Sequence, residues 1–234
     1  MKSKQINASW VNNIVLAVMF AAACSGFAQS IGGPYPNMAP VDQYLMPDRS
    51  TEIALARSAA PESISRDAEV MVLGRHGYET AVKGTNGFVC VVERSWTAPP
   101  DDPNFWNPKL RGPICFNAAA AHSYLPRTIK KTELILAGNT KDQMMQAVVS
   151  AIDNKELPAM EPGAMCFMLS KQGYLDDHAG HWHPHLMFFF SQADPGAWGA
   201  GLPGSPILAF DGKWEHLTTF LVPVRKWSDG TEDR

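Results

Sequence analysis

The residues best suited to chemistry lie in one short stretch of the second half of the chain. Four of the seven histidines fall there, and two carboxylates stand just before them. On a β-strand alternate side chains share a face, so histidines at every second position can approach one ion together. Imidazole nitrogens bind zinc at about 2.0–2.1 Å. The stretch, which predicts a metal site, contains Asp176, Asp177, His178, His181, His183 and His185.

A neighbouring strand usually supplies the last ligand of such a site. His216 stands at the start of the last predicted strand and is the natural candidate, and His178 is a local alternative. Three nitrogens around an open position suit zinc, which would generate a hydroxide nucleophile, although copper or iron would also be accepted. Glu215 and Asp177 are candidates for the base or for a carboxylate that orients a ligand. The first hypothesis is therefore a metal-binding protein, with metal-dependent hydrolysis as its activity.

A different interpretation of the same residues needs no metal. Pro184 lacks the N–H that a strand ladder requires, so residues 176–183 can form a solvated loop. His185 would then be a core histidine that donates a hydrogen bond to a backbone carbonyl. The chain also lacks the sequence motifs of serine hydrolases, zincins, P-loop and dinucleotide-binding proteins and c-type haem attachment.

Aromatic residues in Pro- and Gly-rich loops support a second, non-catalytic hypothesis. The loops cover residues 94–114 and 192–204, and loops of this length are uncommon in compact domains unless they serve a site. Their rings would bind a small molecule, a glycan or another envelope component. The aromatic candidates are Trp96, Phe105, Trp106 and Trp198, of which Trp106 and Trp198 are the principal ones. A third hypothesis is an accessory protein whose histidines are incidental.

The first 28 residues are typical of a secretory signal peptide. Two basic residues precede the apolar run 14–23, which is too short to span a bilayer, and small residues follow before position 29. Lipoprotein processing at Cys24 is the less favoured alternative, because Ala21 stands where a large aliphatic residue is usual. The sequence therefore predicts a secreted or periplasmic protein.

The rest of the chain is predicted to form one domain, residues 50–228. A Pro- and Gly-rich arm (29–49), extended or poorly ordered, precedes this domain and a short tail (229–234) follows it. The formal net charge of the whole chain is −3 and there is no basic run, which argues against nucleic acid as a partner. No integral membrane segment is expected in the mature chain.

Cysteine positions agree with an oxidising compartment. Cys90 and Cys115 bracket an irregular loop, and a disulfide between them would restrict the unfolded chain. Cys166 lies in an apolar strand and is interpreted as a small core residue, although pairing that involves it stays open.

The order of the elements predicts an α+β fold, a single domain with a mostly antiparallel sheet. Two or three helices are expected to lie between two groups of strands. Residues 67–93 are expected to form a three-stranded meander with an Asn86–Gly87 hairpin turn. The predicted helices cover 51–60, 118–125, 126–137 and 141–154, with Ser50 as the cap of the first and a capping box of Thr140 and Gln143 at the start of the last. The later strands cover 164–170, 181–191, 206–210 and 217–224.

Three short motifs together resemble a group of uncharacterised exported bacterial proteins. They are Gly84–Cys90 (Gly-Thr-Asn-Gly-Phe-Val-Cys) with the later Cys115, Pro184–Met187 (Pro-His-Leu-Met), and His216 with Leu221–Val224 (Leu-Val-Pro-Val). The resemblance covers residues from about 60 to 225. It implies export and a shared fold, and it brings no known activity. It also implies that His185 and His216 act as a pair, without His178, His181 and His183.

Overall fold

One eight-stranded sheet carries helices on both of its faces. The computed structural model describes residues 34–175 and 182–233, which belong to one compact unit. The strands are β1 Glu69–Gly74, β2 Gly77–Val82, β3 Val89–Glu93, β4 Gly112–Phe116, β5 Met165–Met168, β6 His185–Phe190, β7 Leu208–Gly212 and β8 Leu217–Pro223. The helices are α1 Arg49–Arg57, α2 Glu62–Ser65, α3 Ala118–Ser123, α4 Leu125–Leu136 and α5 Lys141–Asp153. The predicted α+β class is confirmed, with α3, α4 and α5 inserted between β4 and β5.

The strands follow the order β2-β1-β3-β4-β5-β6-β8-β7, and every neighbouring pair is antiparallel except β1 and β3. The predicted three-stranded meander is therefore wrong, because β3 returns beside β1 on the side opposite to β2. The chain crosses β1 closely at Gly84, where an added Cβ would stand 2.1 Å from the backbone nitrogen of Glu69. The Asn86 side chain also bonds outside the turn, to the Ile64 carbonyl at 2.7 Å.

Alternation along the central strands divides the core between two helical layers. Val70, Cys90 and Cys115 pack with α1 on one face of the sheet. Val91 and Phe116 point to the other face, where they pack with α3 and α4. Helix α5 adds its apolar stripe beside α4, and its buried residues are Met144, Val148 and Ala151.

Local signals place the helix ends. The predicted capping box of α5 is present, with the Thr140 hydroxyl accepting from Gln143 N–H and the Gln143 side chain accepting from Thr140 N–H. Helix α1 begins earlier than expected, because Asp48 caps it by accepting from Thr51 N–H at 2.8 Å. Ser50, the predicted cap, instead donates its hydroxyl to Asp48.

The predicted Cys90–Cys115 disulfide is confirmed. The two residues are direct partners in the antiparallel β3–β4 pair, with Cα atoms 4.0 Å apart. Cys166 is a free, buried cysteine in β5, as its apolar surroundings predicted. Burial raises the pKa of its thiol well above the ordinary value. Within residues 34–175 and 182–233, no helix is long and apolar enough to cross a membrane.

Residues 34–49, part of the predicted N-terminal arm, pack against the domain. Tyr44 is fully buried, and its hydroxyl donates to the Trp106 carbonyl at 2.9 Å. Arg111 donates to the carbonyls of Gln43 and Leu45 and so holds the same segment from the other side. The predicted signal peptide, residues 1–28, lies outside the described part of the chain.

A buried guanidinium ties this segment to α1 and β3. Arg94 is fully buried and donates to Glu52 of α1 at 2.8 Å, to the Tyr44 carbonyl at 2.7 Å, and to the Val92 carbonyl. The Glu52 carboxylate also accepts from Leu73 N–H of β1 at 3.1 Å. One ion pair therefore joins two strands, one helix and the N-terminal segment.

Replacing Arg94 tests the contribution of this ion pair to stability. Arg94→Met leaves the Glu52 carboxylate buried without its cation, and such an unpaired charge costs about 3–5 kcal/mol. We expect a loss of that size in the free energy of unfolding measured with urea. Arg49→Met is the matched control, since it removes an exposed ion pair with Glu79 and should cost far less. Equal losses in the two variants would contradict the prediction.

Candidate functional site

His185 opens β6 and is buried, with only 7% of its surface exposed. Its Nδ1 lies 2.8 Å from the His183 carbonyl, and a carbonyl can only accept, so Nδ1 carries the proton. Burial lowers the pKa of the ring, which keeps it neutral and leaves Nε2 as the unprotonated nitrogen. The indole of Trp182 stands edge-on to the ring at 5.6 Å. The burial of His185 and its hydrogen bond to a backbone carbonyl agree with the metal-free interpretation.

His183 points into a different environment. Its side chain is largely exposed, and Nδ1 lies 2.6 Å from a carboxylate oxygen of Asp233. The strand begins at His185, so His183 and His185 do not share a strand face as the alternating pattern predicted. Pro184 accounts for the late start, although its carbonyl accepts from Val224 N–H at 2.8 Å.

His216 lies at the opposite end of the β6–β8 pair from His185. The register places His185 opposite Pro223, whereas His216 comes just before Leu217 at the other end of β8. Seven residues at about 3.3 Å each put the two backbones roughly 23 Å apart. The expected metal site of His183, His185 and His216 is therefore not assembled, because antiparallel pairing sends the two ends of the strands in opposite directions.

The other members of the predicted metal site cannot be placed. Four of them lie outside the described residues: Asp176, Asp177, His178 and His181. The role of Asp177 as a base therefore stays a prediction. Within residues 34–175 and 182–233, no group of three or more histidine, cysteine or carboxylate side chains is arranged to hold a metal ion.

Glu215, the other candidate base, is a core residue. It is 5% exposed, and its carboxylate forms an ion pair with Lys131 of α4. Arg127, also of α4, donates to the Glu215 backbone carbonyl at 2.9 Å. Both cations are buried as well, so Glu215 has its charge balanced inside the protein. This arrangement fastens α4 to the turn before β8 and does not present a base to solvent.

Glu93 is a second buried carboxylate close to this group. Its oxygens accept from the hydroxyls of Thr128 at 2.9 Å and Thr97 at 3.4 Å. Desolvation raises the pKa of its carboxyl, against the opposing effects of the Thr128 hydrogen bond and of Lys131. The sequence pattern alone does not show the burial of Glu93, because a charged residue at a strand end is usually exposed.

A polar pocket opens beside His216. It has a volume of about 270 Å³ and is lined by Gln192, Ala193, Asp211, His216 and Thr218. The lining provides a carboxylate, an amide, an imidazole and a hydroxyl. The Thr218 hydroxyl is held by Ala193, donating to its carbonyl and accepting from its N–H, both at 3.1 Å. Of these groups, sequence reasoning had singled out only His216.

The imidazole in the pocket is held from both sides. Nδ1 of His216 lies 3.3 Å from the side-chain nitrogen of Gln192, and Nε2 lies 3.3 Å from a carboxylate oxygen of Asp153 in α5. An amide N–H donates to Nδ1 in this arrangement, and Nε2–H donates to Asp153. Both ring nitrogens therefore have partners.

Backbone strain is concentrated around this pocket. In the described part of the chain, Lys155, Gln192 and His216 are the non-glycine residues with positive φ, at 60°, 51° and 50°. Gln192 and His216 carry pocket-lining side chains, whereas Lys155 directly follows the C-cap of α5, where a left-handed residue commonly ends a helix. Left-handed conformations of non-glycine residues cost about 1–3 kcal/mol each and are frequent at functional sites. Two of the three therefore lie at the pocket.

Trp198 belongs to an aromatic cluster on the sheet face that carries Thr218 of the pocket. It stacks on Phe220 with ring centres 4.5 Å apart and also contacts Phe190 at 4.9 Å. Phe190 is paired directly with Thr218 of the pocket, and directly paired residues share a sheet face. Trp198 itself remains 42% exposed to solvent. A half-exposed indole on an ordered aromatic base therefore lies next to the polar groups.

The other predicted aromatic candidates support the fold. Trp96 is fully buried, and its indole donates to the Thr132 hydroxyl at 3.0 Å. Phe105 is also buried and meets the half-buried Trp106 edge-to-face at 4.7 Å. These rings belong to the core cluster with α4 and α5. Of the two principal candidates, Trp198 therefore has the more exposed ring.

Comparisons of this chain with protein-family models, with curated proteins and with solved structures found no match.

The raised pKa of Glu93 predicts a pH-dependent contribution to stability. A folded-state pKa above the unfolded value favours folding at low pH, and this contribution is lost as the pH rises through the folded pKa. The stability of Glu93→Gln relative to the wild type should therefore increase as the pH rises from about 4.5. Urea unfolding of both proteins across this range measures the difference. Glu62→Gln, at an exposed helix position, is the control and should show no such trend.

Proposed function

We propose that this chain is an exported binding protein whose ligand site is the pocket beside Trp198. The ligand is a small hydroxyl-rich molecule of the kind that forms glycans. Sites for such ligands combine an apolar or aromatic surface with a few placed polar groups. Here one observation carries the proposal: the exposed Trp198 indole stacks on the sheet face that also carries Asp211 and Thr218 of the polar pocket.

The chemistry of the pocket favours binding over catalysis. Both nitrogens of His216 are used in holding Gln192 and Asp153, and the Thr218 hydroxyl is used in holding Ala193. Asp211 is exposed and supplies an acceptor for ligand hydroxyls. The stacked base under Trp198 keeps the ring in one orientation, so little side-chain entropy is lost when a ligand covers it.

Export is part of the same proposal. The Cys90–Cys115 disulfide agrees with an oxidising compartment, where such bonds persist. The leader-like residues 1–28 supply a secretion signal of the expected composition. A secreted or periplasmic location would expose the pocket to soluble sugars and to envelope polysaccharides.

The protein is titrated with a panel of neutral mono- and oligosaccharides, beginning with N-acetylglucosamine and maltotriose. The dissociation constants are measured by tryptophan fluorescence and by calorimetry. Trp198→Ala should weaken binding about tenfold, because aromatic contacts contribute about 0.5–1.5 kcal/mol beyond their buried area. Asp211→Asn should also weaken it, since a charged acceptor becomes neutral.

Phe210→Ser is the matched control, because Phe210 is also half-exposed but lies on the opposite face of β7 from Asp211. Its affinity should equal that of the wild type. The proposal fails if no sugar of the panel binds, or if Trp198→Ala and Phe210→Ser bind with equal strength.

Metal binding is a second candidate function. In this proposal His185 is a metal ligand and His216 is not. The Nδ1–H of His185 is fixed on a carbonyl and Nε2 is unprotonated, which is the arrangement of a metal-ligating histidine. Zinc or copper content of the untagged protein, measured by elemental analysis after reconstitution, should fall in His185→Ala and stay unchanged in His216→Ala. Sub-stoichiometric metal in the wild type would exclude this candidate.

A further inference from the structure

The two edges of the sheet differ in their protection. At the β2 edge, Arg49 pairs with Glu79 and donates to the Thr80 carbonyl at 3.1 Å, so a charged side chain covers part of the edge. The β7 edge carries Leu208 and Phe210, which are 47% and 53% exposed. Natural proteins usually blunt an edge strand with charge or proline. In Leu208–Gly212 the single charged residue is Asp211, and there is no proline.

Successive residues of β8 bond alternately to β6 and to β7, and this alternation shows which backbone groups of β7 face outward. Val224 N–H donates to the Pro184 carbonyl, so even-numbered residues of β8 bond to β6 and odd-numbered ones bond to β7. Their β7 partners are the even-numbered residues 208, 210 and 212. The N–H and C=O groups of Ala209 and Asp211 therefore point away from the sheet.

An independent contact agrees with this alternation. The carbonyl of Ile207, two residues before Ala209, accepts from Gly201 N–H at 3.2 Å on the outer side. The loop that contains Gly201 thus covers the edge at Ile207. Among the residues that the structure describes, none bonds to the outward groups of Ala209 and Asp211.

We propose that β7 pairs with β7 of a second copy of this chain, antiparallel and with Phe210 opposite Phe210. In this register Ala209 of each copy exchanges both backbone hydrogen bonds with Asp211 of the other, so every outward group is satisfied. The two Phe210 residues form the pair between them, where Cα atoms approach to about 4.5 Å and side chains are closest.

The side chains of β7 complement themselves in this register. Leu208 of each copy lies opposite Gly212 of the other, which has no side chain to obstruct it. Asp211 lies opposite the small, uncharged Ala209, so like charges do not face each other directly. This self-complementarity favours a second copy over an unrelated extended strand as the occupant of the edge.

The contact is small, and its size predicts a weak dimer. Two half-exposed apolar side chains per copy and one short strand bury much less than the about 1,200 Å² of a stable interface. We therefore expect a dissociation constant between about 10 µM and 1 mM.

Sedimentation measured from about 20 µM to 1 mM should show dimer formation in the wild type with a constant in that range. Amide hydrogen exchange gives the position of the contact. Exchange at Ala209 and Asp211 should slow at least about twofold at the upper concentration, whereas Phe210, already bonded to β8, should be protected throughout.

Phe210→Lys should abolish the dimer by placing two like charges opposite each other. Thr85→Lys is the control, since Thr85 is exposed and precedes β3, which lies far from β7 in the strand order, and this variant should dimerise as the wild type does. Retained protection of β8 amides shows that each variant is folded. A monomer at 1 mM, unchanged exchange at Ala209 and Asp211, or protection only with an added unrelated peptide would overturn the proposal.

Discussion

The buried ion pair between Arg94 and Glu52 is the interaction on which the architecture depends most. Two charges removed from water are tolerated because each finds further partners: Arg94 donates to the carbonyls of Tyr44 and Val92, and Glu52 accepts from Leu73 N–H. The pair therefore connects α1, two central strands and the N-terminal segment at one point. Removing either partner would leave the other buried and uncompensated, so each of the two residues makes a large contribution to stability.

A second buried ion pair lies at the turn before β8, where two successive residues point in opposite directions. Glu215 turns inward to Lys131 and Arg127 of α4, whereas the next residue, His216, adopts a left-handed conformation and turns outward to the pocket. The buried charges hold the turn, and the turn holds the imidazole between Gln192 and Asp153. The polar pocket thus depends on an ion pair that lies on the other side of the same backbone.

The capping box of α5 and the Cys90–Cys115 pairing were confirmed, whereas the Ser50 cap, the order of the first three strands and the meeting of the histidines were not. The capping box at Thr140 and Gln143 acts within one helical turn, so its residues suffice to place the start of α5. The strand order failed at β3, because the choice between neighbours depends on the close crossing at Gly84. Trp198 was named among the aromatic candidates, but Gln192 and Asp211 were missed, since nothing in the local pattern shows that the segment after β6 and the end of β7 meet there.

The sequence by itself determined the α+β class, the start of α5 and the pairing of Cys90 with Cys115, because the hydrophobic period, the capping residues and the cysteines that bracket one loop can be read along the chain. Only the tertiary structure decided which histidines are neighbours. Antiparallel pairing placed His185 opposite Pro223 and carried His216 to the far end of β8, into contact with α5. Strand register is a property of pairs of segments, and no spacing along one segment contains it.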